Sequence, residues 1–451
     1  MSVSVAIIGG GPAGSLLAIL LARRGFAPVV IERSPPFTPE GQKGGRSINL
    51  ALAARGIEAL RRAGIDREVR ELMIPMRGRM IHEPSGRQRF LAYGQRAAEE
   101  IYSVSRAALN ALLYRLAAER HGVTYRFRER CVDVDAATGM PVIESGPPGA
   151  TVRTILEADM VLAADGAGSE VRRALADSRA IEATEELLDH GYKELTIPAS
   201  TDGEFELEPG ALHIWPRGGF MLIALPNLDR SFTATLFLPH VGDNGFAAIG
   251  ASAVDAFFRR EFPDAVPLMP ALHRDYVSHP TGVLGTVTCK PWSSGKLLLV
   301  GDAAHAIVPF HGQGMNAAFE DCVVLDQLLE QRGSAGPGDW PAIFADFEQL
   351  RGPNTRAIAE MAIENYREMR DDVRDAKFQL RAELSFELER RFPQRFVPRY
   401  AMVMFHPEIS YAEAQRRGAI QARILHELTS QADTVGAVDF ARAARLIEVE
   451  L

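Results

Sequence analysis

Cysteine is scarce: three occur in 451 residues, at Cys131, Cys289 and Cys322. They are odd in number and widely spaced, so neither a disulfide framework nor a zinc site is indicated. Long apolar runs are missing as well, and none approaches the ~18 residues a membrane span requires. The N-terminus enters a strand at residues 3–8 without a basic leader or a small-residue cleavage site. Nor is there a basic surplus. Lys and Arg number 50 against 58 Asp and Glu, and the net charge of −8 argues against nucleic acid or an anionic membrane as partner. Repeats and low-complexity segments are absent. These absences point to a reducing, cytoplasmic compartment and no metal. What remains is ordinary globular composition, 47% hydrophobic and 24% charged, in a chain long enough for two or three closely associated subdomains.

Periodicity predicts an α/β fold. Residues 3–8 read as a strand, 13–24 as an apolar helix and 27–31 as a second strand. Helices are expected over 51–63 and over 106–120, the latter capped by Ser105. Residues 76–82 and 87–93 read as strands around the turn Glu83-Pro84-Ser85-Gly86. Residues 160–164 and 296–300 read as buried strands, and 212–215, 220–225 and 232–238 as an antiparallel meander. From Met315 the chain reads as helical, with interruptions at Pro353 and Pro393. The implied layout is a Rossmann-like nucleotide-binding domain from 1–70, 100–175 and 285–330. A second, antiparallel-sheet domain from 71–99 and 176–284 is inserted into it, and 331–451 form a helical C-terminal domain.

Gly9-Gly10-Gly11-Pro12-Ala13-Gly14 lies where the first strand turns into the first helix. In a G-x-G-x-x-G of this context, Gly9 permits the tight turn, Gly11 lets a pyrophosphate approach the backbone, and Gly14 allows helix to pack on strand. The helix N-terminus would face the phosphates. Glu32 ends the second strand at the separation expected of a ribose-binding carboxylate, which suits FAD or NAD and would repel a 2′-phosphate. Two further turns follow buried strands: Asp165-Gly166 and Gly301-Asp302. No second G-x-G-x-x-G is present to hold another dinucleotide.

The three motifs, in this order, resemble those of the aromatic-hydroxylase flavoproteins. Longer strings narrow the resemblance: Gly45-Arg46-Ser47-Ile48-Asn49-Leu50-Ala51-Leu52, Ser103-Val104-Ser105-Arg106, His190-Gly191-Tyr192-Lys193-Glu194-Leu195, Leu212-His213-Ile214-Trp215-Pro216, and Pro309-Phe310-His311-Gly312-Gln313-Gly314-Met315-Asn316. From residue 3 to about residue 425 the chain is similar to the kynurenine 3-monooxygenase family. That resemblance implies tight, non-covalent FAD held by Gly9, Gly11, Ala13, Gly14, Glu32, Arg33, Arg46, Ala51, Arg106, Asp165, Asp302, Gly314, Met315 and Asn316. It assigns the amino-acid end of L-kynurenine to Arg79, Tyr93, Asn365 and Tyr400, and the ring pocket to Leu225, Phe237, Pro309, Phe310 and His311. NADPH is the implied transient reductant and O2 the oxidant, acting through a flavin hydroperoxide to give 3-hydroxykynurenine. Eukaryotic members carry a hydrophobic C-terminal anchor; residues 427–451 here are polar and short, which fits the bacterial, soluble form.

The residues themselves leave some readings open. Arg79 offers a planar fork suited to a carboxylate, although on composition alone it could be a surface arginine. A plain register across Glu83-Pro84-Ser85-Gly86 pairs 79 with 90 and turns Tyr93 to the other face, so a bulge at Gly86 or Gly94 is required if both side chains line one pocket. His311 reads either as a catalytic base or as a packing histidine. Met361, Met369, Met402 and Met404 read as core. The competing functions are another aromatic hydroxylase of the same class, acting on a phenol or aromatic amine, and a flavin-fold binding protein without redox chemistry.

Overall fold

Val5, Ala6, Ile7 and Ile8 are apolar in succession, and such a run is satisfied only when both faces of a strand are covered. In the computed structural model, which describes residues 3–37, 49–135, 137–333, 337–370 and 375–451, all four are buried in the strand Ser4–Ile8. That strand lies inside a six-stranded sheet ordered Ser293–Ser294, Leu297–Leu299, Met160–Ala163, Ser4–Ile8, Ala27–Glu32, Thr124–Phe127. Every neighbouring pair is parallel except the first. The fold is α/β.

Two compact units make up the chain. One comprises Met1–Met73, Val104–Leu187 and Gly285–Arg356; the other comprises Ile74–Ser103, Leu188–Leu284 and Ala357–Leu451. The helical stretch beyond Met315 is thus shared between them.

In the first unit the helix Pro12–Arg23 follows the glycine turn, with Leu16, Leu17, Ile19, Leu20 and Leu21 buried. Ser105 caps the helix Arg106–Arg115, its hydroxyl accepting the Ala108 N–H, and Leu116–Arg120 continues as a π-type turn. Two expectations fail here. The helix expected over 51–63 begins at Ala54, because Asn49–Leu52 is a strand. Asn49–Leu52 pairs with Ile101–Ser105, and the Asn316 side chain accepts the Ala53 N–H at 2.9 Å and donates at 2.8 Å to the Ala51 carbonyl, which a helix would need for residue 55. Pro353 does not end a helix but sits inside the 31-residue helix Trp340–Arg370. A mid-helix proline costs about 3 kcal/mol. Packing on both sides of it outweighs that cost, with Arg351 bound to Asp321 and Glu320 on one side and Ile358, Met361 and Ala362 buried on the other.

A seven-stranded sheet runs in the order Gly282–Lys290, Glu182–Ile197, Phe232–Pro239, Met221–Pro226, Ala211–Pro216, Gly78–His82, Gln88–Ala92. The expected meander is present and antiparallel. Gly78–His82 joins its edge in parallel with Ala211–Pro216. One face, bearing Leu222, Ala224, Ala234, Leu236 and Trp215, packs on Phe257, Phe258 and Phe262. Met361, Met369, Met402 and Met404 are all buried.

Candidate active site

A cleft of about 280 Å³ in the first unit opens at the carboxyl ends of the parallel strands. Ligands bind at this end of such sheets because the glycine turns and helix N-termini gather there. Gly9 has φ +99°, and a Cβ on it would lie 2.5 Å from the Ala164 carbonyl oxygen. A Cβ on Gly14 would stand 2.0 Å from the Gly9 oxygen. Gly11 is different: nothing lies within 4 Å of where its Cβ would be, and it lines the cleft. As N-cap of Pro12–Arg23 it supplies no side-chain acceptor, so the first-turn N–H groups are left for an anion. The residues therefore fit the pyrophosphate of a dinucleotide.

Glu32 is buried at the end of Ala27–Glu32. Its Oε2 accepts the Gly10 N–H at 2.7 Å and its Oε1 accepts the Ser34 N–H at 2.8 Å. Each oxygen keeps a further lone pair for a ribose hydroxyl, while a phosphate would meet a fixed negative charge. Ala13, Arg33, Arg106, Asp165, Gly166, Asp302 and Met315 also line the cleft. Gly14, Ala51, Gly314 and Asn316 do not line it; Asn316 is buried and bonded to the backbone of Ala51, Ala53 and Gly312. Arg46 lies outside the described residues.

The two aspartate turns are braced from behind. Asp165 accepts from the Ser169 hydroxyl at 2.6 Å and from the N–H groups of Glu170 and Val171, at the start of the helix Glu170–Asp177. Burial raises its pKa, and these donors oppose the rise. Arg172 of that helix donates to Ala303 O at 3.0 Å and to Ala167 O at 2.5 Å, joining the Asp165-Gly166 turn to the Gly301-Asp302 turn. The Gly301 N–H is accepted by Asp321, which also binds His305 at 2.6 Å and Arg351 at 2.7 Å. Burial alone would raise the Asp321 carboxyl, but His305 and Arg351 hold it below the usual carboxylate range. Sequence reasoning missed Arg172 and Asp321. The only signal for either was a polar residue recurring on an otherwise apolar helix face.

The second unit holds a polar cluster. The strands Gly78–His82 and Gln88–Ala92 pair 79 with 91, not 90. The extra residue is taken up in the turn, where the Glu83 N–H donates to Arg87 O and Gly86 has φ +83°. Tyr93 N then donates to Arg77 O, so Tyr93 and Arg79 share a face. Tyr93 stacks on Tyr400 with centroids 5.4 Å apart, and the Arg79 guanidinium lies 4.9 Å from the Tyr400 ring and 5.7 Å from the Tyr93 ring. Glu368 approaches Arg79 at 3.6 Å. Burial pushes both phenols above their usual range, Tyr93 the further. Asn365 is buried one turn before Glu368 on the same helix and donates to the Met369 sulfur at 3.2 Å. Glu368 was not anticipated, although its spacing of three from Asn365 puts both on one helix face.

Leu225 and Phe237 are buried on adjacent strands. Register across Ala211–Pro216 and Met221–Pro226 puts them on the same sheet face as Arg79. Pro309, Phe310 and His311 belong to the other unit, on a 3₁₀ turn with Phe310 and His311 buried and Pro309 exposed. The three cysteines are buried and unpaired to one another. No helix among the described residues is long and apolar enough to cross a membrane, and no His/Cys/Asp/Glu group among them could hold a metal.

A parallel sheet with a glycine turn, an uncapped helix N-terminus and a buried carboxylate closing the second strand defines a dinucleotide-binding fold, and a family model described as an FAD binding domain, matching residues 2–338, makes it an FAD-binding flavoprotein. Solved structures share the fold. A 2-methyl-3-hydroxypyridine-5-carboxylic acid oxygenase superposes with TM-score 0.67 at 19% identity, covering 86% of this chain and 98% of its own. PqsL of Pseudomonas aeruginosa does so with TM-score 0.64 at 20% identity, over 84% and 100%. The sequence narrows the class further. The chain is 46% identical to kynurenine 3-monooxygenase of Myxococcus xanthus over 99% of its length and 95% of that protein. It is equally close to that of Stenotrophomonas maltophilia, over 99% and 97%. It belongs to the kynurenine 3-monooxygenase family, a family of flavin-dependent monooxygenases.

Proposed function

We propose that this chain hydroxylates L-kynurenine to 3-hydroxykynurenine, with FAD as resident cofactor, NADPH as reductant and O2 as oxidant. The observation that carries the reading is the buried cluster of Arg79, Tyr93 and Tyr400. An arginine fork so enclosed, beside two phenols and a carboxylate, suits a zwitterionic amino-acid end: Arg79 and the phenols for its carboxylate, Glu368 for its ammonium. A simple phenol has neither a carboxylate for Arg79 nor an ammonium for Glu368, which disfavours hydroxylases of the class that act on such phenols.

Bound FAD supplies the redox chemistry and oxygen activation that protein side chains cannot. In the balance, NADPH gives two electrons, one oxygen atom enters the ring ortho to the amine, and the other leaves as water. The protein's tasks are position and dryness. Arg79 fixes one end of the substrate, and Leu225 and Phe237 offer an apolar face to its ring. Gly14, Arg46, Ala51, Gly314 and Asn316 are proposed to support FAD. The aniline nitrogen donates electron density to the carbon that is attacked, so no strong base is obligatory and His311 is read as a packing residue. Buried, unpaired thiols support a reducing, cytoplasmic setting. Incubating the FAD-loaded protein with NADPH, O2 and L-kynurenine should yield 3-hydroxykynurenine by mass spectrometry. Peroxide alone, formed at the same rate with or without kynurenine, would refute the assignment.

A further inference from the structure

On the opposite face of the strand that carries Arg79, His82 is 1% exposed within a set of partners that the substrate site does not use. Its Nε2 lies 2.9 Å from His213 Nδ1, and its Nδ1 lies 3.1 Å from Asp264 Oδ2. His213 Nε2 is 2.9 Å from the Glu208 carbonyl oxygen, which can only accept, so that nitrogen carries a proton. Burial pushes His213 down to about 4, so it is neutral and its Nδ1 is bare. The His82 Nε2 must then donate. Trp215 Nε1 donates to the same Asp264 oxygen at 2.8 Å. Against the cost of burial, hydrogen bonds from His82 and Trp215 hold Asp264 below the usual carboxylate range, so it is ionised and the His82 Nδ1 must donate as well. Both ring nitrogens are donors only in the imidazolium.

The indole of Trp215 stacks on His82 at 4.0 Å with planes 20° apart, an arrangement that favours a cation. Arg217 is a second cation at this end of the strand. Its guanidinium donates to the carbonyls of His82, Pro216 and Glu261 and lies over the Phe262 ring, while the Glu261 carboxylate is paired with Arg260.

We propose that His82 is held as an imidazolium paired with the half-buried Asp264, and that this ion pair, together with the His213 and Trp215 hydrogen bonds, is a positioning device that fastens the Gly78–His82 strand, and with it Arg79, to the meander. The strand is an outlier in its sheet, joined in parallel to Ala211–Pro216 and otherwise flanked only by the edge strand Gln88–Ala92. The ion pair ties its last residue to the Asp264 segment, and the His213 hydrogen bond ties it to Ala211–Pro216, three residues from Arg79. The positioning half rests on the reading of Arg79 as partner of the substrate carboxylate; the protonation half does not.

Proton-detected ¹⁵N spectra of the FAD-loaded wild-type protein at neutral pH, with the His82 signal identified by its loss in H82Q, should show both ring nitrogens protonated. D264N keeps an oxygen acceptor for the His82 and Trp215 N–H groups but removes the charge, and should return His82 to a single ring N–H. Calorimetric titration with L-kynurenine should give a Kd raised about 5-fold in D264N and in H82Q, somewhat less than the loss of one direct charge-assisted bond. The kcat should stay within about 2-fold, as expected when binding rather than the chemical step is affected. A singly protonated His82 in the wild type overturns the ion pair. Unchanged kynurenine affinity in D264N, with the spectrum changed as expected, overturns the positioning role. If H82Q does not fold, D264N serves both to identify the signal and to test affinity. Unchanged affinity in R79M would remove the substrate reading, and the positioning half with it, while the spectrum still decides the ion pair.

Discussion

Replacing Arg79 by methionine keeps the aliphatic stem and removes only the fork. In the free protein Arg79 is 9% exposed, its guanidinium shared between the Tyr400 and Tyr93 rings and 3.6 Å from Glu368. An incoming carboxylate would lose this buried cation, and breaking such a pair commonly costs ~3–5 kcal/mol. Part of that is already exchanged in the unbound state, because Arg79 turns from Glu368 toward the substrate. The expected net loss is about 2–3 kcal/mol, a Kd for L-kynurenine raised roughly 30- to 150-fold. The assay is calorimetric titration of the FAD-loaded variant. FAD content should be unchanged, since Arg79 does not line the FAD cleft. A kynurenine analogue without the carboxylate should bind both forms about equally. Arg77→Met is the control: its side chain is 74% exposed and it meets Glu100 at 3.5 Å. If R77M weakens binding and R79M does not, the strand register is misread; if neither matters, the carboxylate is held elsewhere.

Glu32→Ala should weaken FAD by roughly 1.5–3 kcal/mol, the range for a bond to a charged acceptor, measured by titrating apoprotein with FAD. Gly14→Ala forces a Cβ to within 2.0 Å of Gly9 O, and the visible flavin spectrum of the purified variant should be largely lost; full FAD content would contradict the packing described. Asp321→Asn should destabilise the protein by about 3–5 kcal/mol, because Arg351 and His305 lose a buried anion. The Asp321 pKa is depressed in the folded state, so its contribution is present above the unfolded pKa and lost as pH falls through the folded one. Urea denaturation of the wild type should therefore lose stability toward acid more steeply than that of D321N. NADPH oxidation, followed by absorbance, should be slow alone and much faster with L-kynurenine; ligand-independent oxidation would count against coupled hydroxylation.

Much of the FAD site was legible because its requirements are local. A strand of four apolar residues, three glycines whose Cβ positions are blocked or must stay open, and a carboxylate at the next strand end are each readable within 32 residues of the N-terminus. Where distant partners decide, the sequence was silent. Ala51 and Leu52 fit a helix by composition, and distant partners make them a strand: Ile101–Ser105 pairs with Asn49–Leu52, and Asn316, more than 260 residues away, takes the Ala51 carbonyl. Pro353 obeys no local rule because Arg351 and its buried anions hold the helix across it. The 16-residue strand Glu182–Ile197 begins with exposed, charged residues that break any alternation. The hairpin at Gly86 lies between these extremes: composition marked the turn, but its length, and so the face on which Tyr93 falls, depended on a single residue.

The order of strands in the parallel sheet has a consequence for how the protein is made. Ser4–Ile8 pairs with Met160–Ala163, which in turn pairs with Leu297–Leu299, so an early strand waits for partners made much later in synthesis. Gly78–His82 waits likewise for Ala211–Pro216. Neither unit is a continuous stretch of chain, and no N-terminal fragment short of about residue 300 contains a finished FAD cleft. Long-range parallel pairing of this kind is slow and leaves strand edges open meanwhile. Nascent chains of this protein should depend on chaperone protection until the strand Leu297–Leu299 emerges, and truncations upstream of it should yield aggregates in place of apoprotein.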